Sequence, residues 1–127
     1  MADIENFPFH YTRHNFARFD EVTLHSIKKF DDPLEGVNEK FDVIWLQEVF
    51  EHLDSPRYIA EYLLNRLNPN CIYVFDYIKS DATGMDSIQG LDERIETLQF
   101  LSDHLVPVVG KLKVSDDSLP LIIRRKK

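Results

Sequence analysis

Two short, nearly continuous apolar runs dominate the middle of the chain. Phe41-Asp-Val-Ile-Trp-Leu46 and Cys71-Ile-Tyr-Val-Phe75 are rich in β-branched and aromatic residues, the pattern of strands buried on both faces. Between them, Asp54-Ser55-Pro56 supplies a capping side chain followed by a proline whose missing N–H costs nothing at a helix start. Ile59, Tyr62, Leu63 and Leu67 then recur at helical spacing, with Tyr58 and Leu64 at the borders of the stripe. The pattern predicts a helix running to about Leu67 and stopped by Asn68-Pro69-Asn70. Residues 41–75 therefore spell strand, helix, strand, with a connection of the length a right-handed parallel crossover needs.

The flanks are read the same way. Glu21 to Ile27 alternates, with Val22 and Leu24 on one side, and predicts a short strand before the turn-rich stretch Asp31-Asp-Pro-Leu-Glu-Gly36. A loop over Lys79 to Gly90 precedes a helix from about Leu91 to Leu105, with Leu91, Ile95, Leu98 and Leu105 along one face and Leu101 at its border. Val106–Val114 and Leu119–Ile123, separated by Ser115-Asp-Asp-Ser118, predict an antiparallel hairpin that closes the sheet. The first twenty residues carry Phe7, Phe9, Tyr11, Phe16 and Phe19 with no sustained period, which predicts an irregular arm pinned by aromatics. The expectation is one α/β domain over residues 1–127, with an arm over 1–20 and a core over 21–127. Its sheet is mixed and mostly parallel, with flanking helices and a C-terminal antiparallel hairpin.

Composition narrows the partners. The chain has 127 residues, 43% of them apolar and 29% charged, and a net charge of −7, as expected of one folded domain with an ordinary core. The charge is concentrated: eight acids against Lys40 alone lie between Asp31 and Asp54, so that stretch accounts for all of the net charge. A phosphate-tracking surface needs a dense basic stripe, which argues against nucleic acid and leaves the Arg124-Arg-Lys-Lys127 terminus as a solvated end. The single cysteine, Cys71, closes no internal disulfide and fits a reducing, cytoplasmic setting. No apolar run reaches the ~18–20 residues that span a bilayer, so no membrane partner is expected, and no signal peptide is legible. His10 and His14 stand at i, i+4 without a third ligand, so no metal is expected. Serine-hydrolase and phosphate-loop motifs are absent.

The run Phe41 to Tyr77 resembles the fourth strand, following helix and fifth strand of class I S-adenosylmethionine-dependent methyltransferases. The matching pieces are Phe41-Asp42-Val43-Ile44, then Glu48, then Glu51-His52, and a helix-ending Asn68-Pro69-Asn70 where the family reads Pro-Gly-Gly. The family then continues with a helix and an antiparallel strand pair, so the resemblance extends over about residues 21 to 125. It implies a partial Rossmann-like methyltransferase fold. It further implies that Leu46, Gln47 and Glu48 lie near S-adenosylmethionine, and that His52, Asp76 and Tyr77 lie on the substrate side.

One family feature is missing. Cofactor binding there starts with a strand and a G-x-G turn that lets backbone approach the ligand, whereas Gly36, Gly84, Gly90 and Gly110 are scattered. The chain thus reads as the second half of such a fold, inactive alone, with weak or absent cofactor binding and no catalytic residue to assign. Strand 41–46 would normally pair with the missing half, so its outer edge would meet a partner chain or a second copy. The alternative is a non-catalytic protein-interaction or homodimerisation module. For Glu51 and His52 the plainer reading is that they hydrogen-bond the loop into the next helix.

Overall fold

The computed structural model describes residues 1–79, 86–115 and 121–125. The chain divides into two compact units, Met1–Asn38 and Glu39–Lys127.

In the first unit, β1 (Ala2–Ile4) pairs in parallel with β2 (His25–Ile27), and α1 (Phe7–Phe16) connects them. The Met1 ammonium donates to the Thr23 carbonyl at 2.7 Å, which fixes the start of β1 beside the approach to β2. The arm expected to be irregular is therefore helical. Its start is encoded locally: Asn6 Oδ1 accepts the Phe9 amide at 2.9 Å, and Pro8 sits in the first turn. Of α1 only Phe9 is buried, while Phe7 and Tyr11 face outward, so the helix carries almost no amphipathic signal. The predicted strand 21–27 shortens to β2. It pairs with β1 rather than with the strands of residues 41–125, which moves residues 21–38 out of the expected core.

The second unit is built on four strands. These are β3 (Phe41–Leu46), β4 (Leu67–Phe75), β5 (Leu105–Val109) and β6 (Leu121–Arg125), in the order β3-β4-β6-β5. β3 and β4 are parallel, with Ile44 opposite Tyr73, and α2 (Pro56–Asn65) connects them as expected. β6 lies between β4 and β5 and is antiparallel to both, so the predicted hairpin is present. The sheet expected to be mostly parallel, however, has one parallel and two antiparallel pairings among the described residues. Residues 116–120, which include the start of the predicted second strand, lie outside the described residues. Two further helices precede the hairpin, α3 (Ile88–Asp92) and α4 (Arg94–His104). Of the loop expected over 79–90, residues 80–85 lie outside the described residues.

The core is drawn from one face of this sheet, through Ile44, Cys71, Tyr73, Phe75, Leu105, Leu121 and Ile123, and from Ala60, Leu63, Leu64 and Leu101 of the helices. Several expectations change. β3 is not buried on both faces: only Ile44 is buried, while Val43 is 52% and Trp45 63% exposed. Among the described residues β3 pairs with β4 alone, and the face it shares with Ile72 has no helix burying it. The buried side of α2 is turned toward Ala60 and Leu64, leaving Ile59 and Tyr62 half-buried.

Asn68-Pro69-Asn70 does not follow the helix as a separate stop but lies inside β4. The register jumps there from Phe41 opposite Leu67 to Val43 opposite Ile72, which places the proline, unable to donate to the ladder, in a bulge. The single helix expected over 91–105 is two, and Ile95, expected on the packed face, is 83% exposed, while Thr97 and Leu101 are buried and Leu105 begins β5. Among the described residues no helix is long and apolar enough to cross a membrane.

Candidate functional site

The carboxyl ends of parallel strands are where open α/β sheets place ligands, because loops there diverge and side chains converge on the gap. In the second unit this is where β3 and β4 end side by side, with Leu46 opposite Phe75. Leu46 is half-buried, Gln47 is exposed and its Oε1 accepts the Trp45 indole N–H at 3.3 Å, and Glu48 is exposed. Glu48 has φ 54, the left-handed region, which a non-glycine residue holds only when its surroundings fix it. The fixing group is Asp76, just past β4: its Oδ1 accepts the Glu48 amide at 2.7 Å, and the residue is only 2% exposed. The structure thus brings Glu48 and Asp76 together directly.

The chain next makes a 3₁₀ turn, Phe50–His52, which buries Phe50 and Glu51. Phe50 packs on the ends of both strands, edge-on against Phe75 at 5.4 Å between ring centroids and stacked on Tyr77 at 5.2 Å. Glu51 is 5% exposed, and burial pushes its carboxyl up from the ordinary value, with the Asp76 and Asp86 charges adding to the rise. His52 is more exposed, with Nδ1 3.2 Å from Asp86 Oδ1 and Nε2 4.0 Å from Glu51 Oε1. Tyr77 is buried, which pushes its phenol up, while the Arg94 guanidinium, 5.5 Å from the ring centroid, opposes that shift.

The segment leading to α3 closes this region. The Ser87 amide donates to the Glu51 carbonyl at 2.9 Å, the Ser87 hydroxyl donates to Asp54 Oδ1 at 2.6 Å, and Ser87 Oγ accepts the Gly90 amide at 3.0 Å. Gly90 is there because a side chain would not fit: a Cβ would fall on the Leu53 carbonyl oxygen.

The six residues singled out from the sequence all lie at this end of the sheet. Glu48 meets Asp76, and His52 and Tyr77 lie in the same region on either side of the Phe50–Glu51 turn. Leu46 lies opposite Phe75, the residue before Asp76, and the Gln47 side chain accepts from the Trp45 indole. Glu51 and His52 join their turn to the segment before α3, the Glu51 carbonyl accepting from the Ser87 amide and His52 facing Asp86. Sequence reasoning missed Asp86, Ser87 and Arg94, which come from a separate stretch of chain with no recognisable spacing to 48–52.

Leu46, Gln47 and Glu48 present an apolar side chain, an amide and a carboxylate beside the end of β3. Among the described glycines, Gly36 and Gly110 have positive φ and lie before β3 and after β5 in the chain, while Gly90 packs against Leu53. Among the described residues no group of three or more His, Cys, Asp or Glu side chains is arranged to hold a metal ion. No family model, curated protein or solved structure matches the chain.

Proposed function

We propose that residues 39–127 form the second half of a Rossmann-like methyltransferase fold, with a glycine-rich half that lies outside these 127 residues docking along β3. The observation that carries this reading is the placing of β3. It is an edge strand whose parallel pairing to β4 is of the kind normally enclosed on both sides, yet it presents Val43 and Trp45 to solvent. The order of elements supports it further: strand, helix, parallel strand, helices and an antiparallel pair is the order the resemblance implies for 41–125. In that reading Gln47 and Glu48 face the nucleoside of S-adenosylmethionine, the Asp76 carboxylate holds Glu48 in place, and His52 and Tyr77 face the acceptor.

Calorimetric titration of the 127-residue chain with S-adenosylmethionine and S-adenosylhomocysteine tests this. No saturable heat at millimolar ligand, from a folded sample, is the expected result. One-to-one micromolar binding would overturn the need for a second half.

A second reading is favoured by the same bare edge. Two copies of β3 would pair with each other and the protein would be a non-catalytic homodimerisation module. Light scattering separates the two, because only this second reading gives a dimer of the isolated chain.

A further inference from the structure

The side of the four-stranded sheet turned away from the core is apolar from edge to edge. Strand pairing aligns it in two rows. In the first, Val43 lies opposite Ile72, Ile72 opposite Arg124, and Arg124 opposite Val106. In the second, Trp45 lies opposite Val74, Val74 opposite Ile122, and Ile122 opposite Val109. Alternate residues of a strand point to opposite faces, and Ile44, Tyr73 and Ile123, between the two rows, are buried in the core. On this outer side, by contrast, Val43, Trp45, Ile72 and Val109 are each at least 41% exposed. Four strands spaced about 4.8 Å apart make the rows roughly 14 Å wide, somewhat more than the diameter of a helix.

The one charged member is Arg124, exposed on the inner strand β6. Among the described residues no carboxylate pairs with it. Whatever covers the face therefore has to bring a carboxylate with it, because a guanidinium buried without one is strongly destabilising. That requirement rules against a second copy laid face to face. Neither row holds an acid, so such a pair would bury two guanidiniums and supply no counter-charge. A bilayer is disfavoured as well, since the chain's net charge of −7 opposes approach to anionic lipid. A strand added along the edge of β3 would lengthen the sheet and leave this face bare, so the argument is independent of what pairs with that edge.

We propose that the face receives an amphipathic helix of a partner chain, its apolar stripe over Trp45, Ile72 and Ile122 and one Asp or Glu within the stripe bonded to Arg124. Charge complementarity picks the carboxylate, and the fork geometry of arginine makes the pairing directional. Helix is the element that suits the surface, because α2 and α4 already cover the other side of the same sheet and parallel strands are normally enclosed on both.

Two synthetic Ala- and Leu-based helical peptides are the probes, identical except at one position in the middle of the Leu stripe, Glu in one and Lys in the other. Each is titrated into the 127-residue chain, and Trp45, the single tryptophan, reports by its emission. A saturable blue shift with the Glu peptide is expected, with affinity for the Lys peptide roughly tenfold lower or more, the loss of one charge-assisted hydrogen bond. Arg124→Glu should reverse the preference, which loss of the fold would not do, and an unchanged near-ultraviolet dichroism spectrum would show the variant folded. No saturable shift with the Glu peptide, equal affinity for the two peptides, or an unreversed preference in the variant overturns the proposal. So does a dimer, seen by light scattering, that excludes both peptides, which would put a second copy on the face, or a blue shift with phosphatidylcholine vesicles and neither peptide, which would put lipid there.

Discussion

Gly90 and Glu51 each hold a place that no other residue type fills without cost. At Gly90 the constraint is space, because the backbone of α3 comes so close to Leu53 that any Cβ would collide with a carbonyl oxygen. Gly90→Ala should destabilise the protein by about 1–3 kcal/mol, the usual cost of forcing extra volume against immobile atoms. A lowered denaturant midpoint with an unchanged slope would show it. At Glu51 the constraint is charge. Its folded carboxyl titrates above its ordinary value of 4.5 because burial disfavours the ionised form, so the folded state holds the proton more tightly than the unfolded chain. The stability this contributes is fully present below 4.5 and is lost as pH rises through the raised folded value. His52, Asp76 and Asp86 surround the group and share in the profile. Between neutral pH and 4.5, wild type should gain stability on acidification relative to Glu51→Gln, and parallel thermal unfolding at each pH measures the difference. Equal pH profiles for the two would show that Glu51 is not the titrating group. Neither residue announces itself in the sequence: the Glu51-His52 pair is visible, but that its carboxyl is buried depends on Phe50 turning onto Tyr77, a contact between residues twenty-seven apart.

Local signals settled some elements and tertiary packing settled others. β3, α2 and β4 were legible because a β-branched run, a proline at the helix start and a second apolar run each act over a few residues. The helix α1 was equally local, through Asn6 and Pro8, but a search for apolar periodicity passes over a helix that buries only Phe9. Ile95 shows the opposite failure: it fits the stripe, yet the break at Glu93 between α3 and α4 resets the helical phase and turns it outward. In β3 the run of apolar residues correctly predicts a strand, but not how many of its faces are covered. That exposure sets a test at this scale. Trp45→Ser should change the stability of the isolated chain by no more than about 0.5 kcal/mol, as at an ordinary surface position. Leu63→Ala should cost about 2–5 kcal/mol because it opens a cavity in the core. Chemical denaturation of both variants gives the comparison, and a large cost at Trp45 would mean that the face is covered in solution. Trp45 is the single tryptophan, so its emission also reports directly on any partner that covers β3.

Across the whole molecule the two units are unequally equipped to fold. Apart from Phe9, every buried apolar residue lies in 39–127, where one sheet face and the inner sides of α2 and α4 make a single core. Residues 1–38 hold a two-stranded sheet and one helix around Phe9, and a chain of that size rarely buries enough surface to offset its own ordering entropy. The four strands of the second unit form one hydrogen-bonded sheet in the order β3-β4-β6-β5. A chain of residues 39–127 should therefore unfold in one cooperative transition and keep a near-ultraviolet dichroism signal from the packed Tyr73, Phe75 and Tyr77 rings. Residues 1–38 alone should show neither. If the 39–127 chain instead gave a gradual transition with secondary structure but no aromatic signal, its core would depend on the first unit. The methyltransferase-half reading would then lose its footing, because an independently folding 39–127 is what lets another half take its place along β3.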